Sequence, residues 1–75
     1  MDFEKIAQVI AETLGCDVED VKKEATLQEL GADSLAAVEL MMAMEEATGI
    51  SIDDEAMGSL KTVGDIMEYL EANKN

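Results

Sequence analysis

Apolar residues recur at intervals of three and four along three stretches of the chain, and no proline interrupts them. That spacing lines up side chains on one face of an α-helix, so the chain is directed toward helices rather than alternating strands. Phe3, Ile6, Ala7, Ile10 and Leu14 make the first stretch, and Asp2 as N-cap with Gly15 as stop predicts a helix over 2–14. Leu35, Val38, Met41 and Met42 make the second, with Asp33 as cap and an end at Thr48 and Gly49. Val63, Ile66, Met67 and Leu70 make the third, and Thr62-x-x-Asp65 ahead of them has the form of a capping box, which predicts a helix over 62–72. A shorter helix is expected after Asp53 or Asp54, containing Met57 and ending near Gly58 or Leu60. The tail Asn73-Lys74-Asn75 has nothing to bury and is expected to fray.

From Cys16 to Ala32 the helical period breaks into short pieces. Asp17 is placed to cap a turn carrying Val18 and Val21, and Thr26-x-x-Glu29 has the form of a capping box ahead of Leu30. The fold class that follows is all-α: a small four-helix bundle of three main helices and one short one, with a long loop between helices one and two. At 75 residues the chain fits a single domain over 1–75, without room for a separate catalytic domain.

Eighteen acidic residues stand against five lysines, giving a formal net charge of −13. Such a charge repels nucleic acid and anionic lipid, draws in basic protein surfaces, and favours a monomer through self-repulsion. Cys16 is the single cysteine and there is no histidine, so an internal disulfide, a Cys/His catalytic pair and a multi-cysteine metal site are all ruled out. Asp53-Asp54-Glu55 is the densest acidic run, but it lacks the alternating ligands of a calcium loop and reads as solvated charge at a helix start. No stretch approaches the roughly 20 apolar residues of a membrane span, and the N-terminal residues are not signal-like, so a cytoplasmic protein is expected.

The segment Leu30-Gly31-Ala32-Asp33-Ser34-Leu35 sets a serine hydroxyl at the start of the second helix. Free backbone N–H groups and the positive end of the helix dipole favour negative charge there, so a phosphate on Ser34 suits the position. The plainer alternative is that Asp33 caps the helix and Ser34 merely fills its first turn.

Taken with Val38-Glu39-Leu40, this segment resembles the attachment-site region of acyl carrier proteins. Glu45-Glu46, Thr48-Gly49-Ile50-Ser51-Ile52 and Leu60-Lys61-Thr62-Val63-Gly64-Asp65 are similar to the second half of that family in order and spacing, so the resemblance covers nearly the whole chain. It implies a four-helix bundle that is not an enzyme. Ser34 would be esterified with 4′-phosphopantetheine from coenzyme A by a separate phosphopantetheinyl transferase, and growing acyl chains would ride on the arm as thioesters to fatty-acid or related biosynthetic enzymes. Asp33 and Leu35 flank the attachment point, Asp33 as helix cap or as an aid to the transferase. The resemblance also implies that Val38, Glu39, Met42, Glu45 and Glu46 face basic docking patches on partner enzymes. By spacing alone, Val38 and Met42 fit a core face and the glutamates a solvated one equally well. Met41, Met44, Met57 and Met67 are flexible enough either to line an interior that yields to an acyl chain or simply to fill gaps in the core. Two positions depart from the family pattern: Asp53 stands where proline is common, and Thr48 where the second helix often ends with an aromatic residue. The alternatives are a specialised carrier for polyketide or aminoacyl groups and, in a different class, an unmodified acidic adaptor domain.

Overall fold

A computed structural model describes residues 2–74. Four α-helices are present among them: α1 (Phe3–Leu14), α2 (Ser34–Thr48), α3 (Asp54–Ser59) and α4 (Val63–Asn73). A 3-10 turn over Val18–Asp20 interrupts the connection between α1 and α2.

Each helix begins on the residue that sequence chemistry selects for it. The side-chain oxygens of Asp2, Asp33, Asp53 and Thr62 accept from the amides of Glu4, Ala36, Ala56 and Asp65, satisfying donors that have no partner within the helix. At α4 the box is reciprocal: Asp65 Oδ2 also accepts from the amide of Thr62 at 3.1 Å. The other box pattern behaves differently. Thr26 and Glu29 make the reciprocal bonds, with Glu29 N to Thr26 Oγ1 at 3.1 Å and Thr26 N to Glu29 Oε1 at 3.3 Å, yet they close a turn and no helix follows. Gly31, at φ 95°, breaks the chain there and turns it toward α2.

Ile6 and Ile10 of α1, Leu40 and Met44 of α2, and Val63, Ile66 and Leu70 of α4 are fully buried and form the centre of the core. α1 packs on both α2 and α4, and α3 leans against α2. The long loop supplies core residues of its own, Val21 and Leu27. It is held to the start of α4 by Leu27 N to Lys61 O at 2.9 Å, Val63 N to Ala25 O at 3.0 Å and Gly64 N to Lys23 O at 2.8 Å. These bonds form an isolated antiparallel bridge at Thr26 and Thr62. Lys23 also sets its ammonium 5.8 Å from the centroid of Phe3, a cation–π contact that ties the loop to α1.

At the C-terminal tail, Asn73 is exposed, as its lack of anything to bury implied, but it is still helical: it is the last residue of α4 and donates from Nδ2 to the carbonyl of Tyr69 at 2.8 Å. Lys74 pairs with Glu71 at 2.9 Å, while Asn75 lies outside the described residues. Among the described residues, no helix is long and apolar enough to cross a membrane.

Candidate functional site

Ser34 is the first residue of α2 and is exposed to solvent. Its place is set from both sides. Upstream, Leu27 O accepts from Leu30 N at 3.1 Å and Ala32 N at 2.9 Å, folding residues 27–32 into a tight turn. Downstream, Asp33 Oδ1 accepts from Ala36 N at 2.8 Å, and Asp33 O accepts the first intrahelical bond from Ala37 N at 2.9 Å. The amides of Ser34 and Leu35 precede that first bond, so they lie where the helix end carries partial positive charge. A phosphodiester on the Ser34 hydroxyl fits this position: the hydroxyl is accessible, the helix dipole favours the anion, and Asp33 is already engaged as the cap.

Beyond Ser34, α2 divides into two faces. Leu40 and Met44 point into the core at 0% exposure, whereas Leu35, Val38 and Met42 are 69%, 46% and 64% exposed. Glu39, Glu45 and Glu46 are exposed as well. At 3.6 residues per turn these six outer residues fall within about 120° of arc, opposite Leu40 and Met44. They form an apolar stripe edged with carboxylates that begins one residue after Ser34. Every residue expected at the site therefore lies on α2 or at its cap. Val38 and Met42 belong to this outer stripe and not to the core. The core role on α2 falls instead to Leu40 and Met44, and Met44 was legible only as one of several flexible methionines.

Of the other methionines, Met57 is buried and Met41 and Met67 pack at the core margin. A cleft of about 320 Å³ runs between the 26–28 turn, Ala32, Ala37, Met57 and Leu60. Cys16 is a half-buried free thiol. No group of three or more potential metal-ligating side chains converges among the described residues. The two positions that depart from the family pattern both have structural work. Asp53 caps α3, and Thr48 Oγ1 donates to Met44 O at 2.7 Å and accepts from Ile50 N at 3.1 Å, closing the end of α2.

Residues 4–70 match the family described as "Phosphopantetheine attachment site". The chain is also similar to the acyl carrier protein of Wolinella succinogenes, with 47% identity over 73 residues that span 96% of this chain and 96% of that one.

Proposed function

The chain belongs to the acyl carrier protein family, and from that membership we propose that Ser34 is its attachment residue and that it delivers acyl chains to the enzymes of fatty-acid synthesis. As a member of that family it is a carrier and not an enzyme, and its prosthetic group is 4′-phosphopantetheine. When bound, that group supplies a thiol whose thioesters are readily attacked and whose neighbouring carbon is readily deprotonated.

The observation that carries the reading is the adjacency on one helix of an exposed, dipole-favoured serine and an outward apolar stripe edged with carboxylates. Ser34 supplies the hydroxyl, and Asp33 caps the first turn of the helix that presents it. Leu35, Val38 and Met42 offer an apolar contact to a partner, while Glu39, Glu45 and Glu46 pair with its basic residues. A net charge of −13 speeds encounter with such surfaces and lets contacts remain brief, as a shuttle requires. The partners are then a phosphopantetheinyl transferase and synthesis enzymes with basic docking patches. The same charge opposes self-association, which supports a carrier that works as a monomer.

Intact mass after incubating the apo protein with coenzyme A and a broad-specificity transferase tests this reading. One phosphopantetheine is expected to be added, and Ser34→Ala is expected to abolish the addition. If folded, unmodified protein accepts none from several transferases, the reading fails in favour of an unmodified acidic adaptor. If the Ser34→Ala protein is still modified, the attachment residue is elsewhere.

A further inference from the structure

We propose that Met42 is a peroxide-sensitive modification site, and that its conversion to methionine sulfoxide weakens docking on α2 without disturbing the fold. The effect on docking rests on the reading of the outer α2 stripe as the partner surface; the selectivity of oxidation does not.

The methionines differ sharply in access. Met44 is 0% and Met57 8% exposed, Met41 and Met67 are partly buried against the core, and Met42 is 64% exposed. Met1 lies outside the described residues. Oxidation by a peroxide requires the thioether sulfur to reach the O–O bond. The sulfur lone pair attacks one peroxide oxygen, the O–O bond breaks, and the departing hydroxide takes up the remaining proton and leaves as water. Sulfur is oxidised by two electrons and hydrogen peroxide is reduced by two. Methionine sulfoxide reductases reverse the change with two thiol equivalents, forming a disulfide and water.

Position gives the modification its effect. Met42 follows Leu35 and Val38 along the outer stripe and lines a shallow hollow with Glu45 and Glu46. A sulfoxide replaces a flexible apolar group with a polar, chiral one whose oxygen is a hydrogen-bond acceptor. The ionised carboxylates of Glu45 and Glu46 are acceptors too, so they offer it no donor. Covering that oxygen with an apolar partner surface costs affinity. Because Leu40 and Met44 hold the core from the opposite side of α2, the fold has no stake in the Met42 sulfur.

The test treats apo protein with hydrogen peroxide, removes the oxidant, reduces reversible cysteine products with dithiothreitol and maps sulfoxides by peptide mass spectrometry. Met42 is expected to be oxidised well ahead of Met41, Met44, Met57 and Met67. Oxidation of Met41 or Met67 at an equal or greater rate would overturn the assignment. The docking effect is read as KM for a phosphopantetheinyl transferase acting on Ser34. Oxidised protein is expected to show KM raised about fivefold or more with kcat little changed. Sulfoxide reductase should reverse that rise, Met42→Leu should not show it, and the melting temperature should stay constant. An unchanged KM at full Met42 oxidation would sink the docking effect while leaving the carrier reading intact. Failure of unoxidised protein to load at Ser34 would strike the carrier reading and the docking effect together, while the peptide map would still decide the selectivity of oxidation.

Discussion

Asp33 and Asp65 show how much single carboxylates do in this chain. Asp33 caps the helix that presents Ser34, so Asp33→Ala is expected to cost about 1 kcal/mol. In a domain of this size that lowers the melting temperature by roughly 4–8 °C, which calorimetry or circular dichroism would detect. Asp65 accepts from the amides of Thr62 and Lys61 at 3.1 Å each, and these bonds, the Thr62 amide first, hold its carboxyl below the ordinary carboxylate value. A group whose pKa is depressed on folding stabilises the fold above its unfolded pKa, and that contribution disappears as pH falls through the folded value. Asp65→Asn is therefore expected to melt lower than the parent near neutral pH, with the gap closing below about pH 4. A constant gap across that range would mean that the charge of Asp65 contributes nothing to stability. Gly64 is constrained differently, since a Cβ there would sit 3.1 Å from the backbone oxygen of Lys23.

At the scale of elements, the long loop between α1 and α2 behaves as part of the fold. Its amides at Leu27 and its partners at Val63 and Gly64 are hydrogen-bonded across the Thr26–Thr62 bridge, and all three should exchange slowly with solvent deuterium. Gly64→Ala crowds the bridge, which offsets the roughly 1 kcal/mol that alanine gains over glycine in a helix, so the variant is expected to be no more stable than the parent, with faster exchange concentrated at Leu27 and Gly64. The helices were legible in the sequence because caps and stops are local chemistry. Asp2 with Gly15 and Asp33 with Gly49 mark the two ends of a helix, and Thr62 with Asp65 marks the start of one, through residues only a few positions from those ends. The bridge was not legible, because it joins segments far apart in sequence through backbone atoms that carry no side-chain signature. Thr26-x-x-Glu29 illustrates the limit: it makes the bonds of a helix start, yet Gly31 and the tie to Lys61 leave no room for a helix. Nor did periodicity show which side of α2 is buried, since apolar residues occupy both faces. The helix start at Ser34 was legible as a place that suits a phosphate, but that signal is shared by many helix starts, and the resemblance is what pointed to an attachment there.

Across the whole molecule, a small core and a large charge set the behaviour. Stability at roughly 0.05–0.15 kcal/mol per residue is modest for a chain this short. Leu40→Ala, which empties a fully buried site, is expected to cost about 2–5 kcal/mol and to leave a substantial unfolded fraction at 37 °C by far-ultraviolet circular dichroism. Docking should respond to salt as an electrostatically steered process: kcat/KM with a transferase is expected to fall severalfold between low and high ionic strength, mostly through the encounter rate. If kcat/KM is independent of salt, contact rather than charge governs recognition. The division of α2 into two apolar faces has a further consequence, for how such a carrier can change over generations. Leu40 and Met44 are bound into the core while Leu35, Val38 and Met42 stand outside it, so substitutions on the outer face leave the scaffold in place. If the outer face is the proposed partner surface, a transplanted set of outer residues is expected to reassign the carrier to other enzymes while the buried face of the same helix keeps the fold as it was.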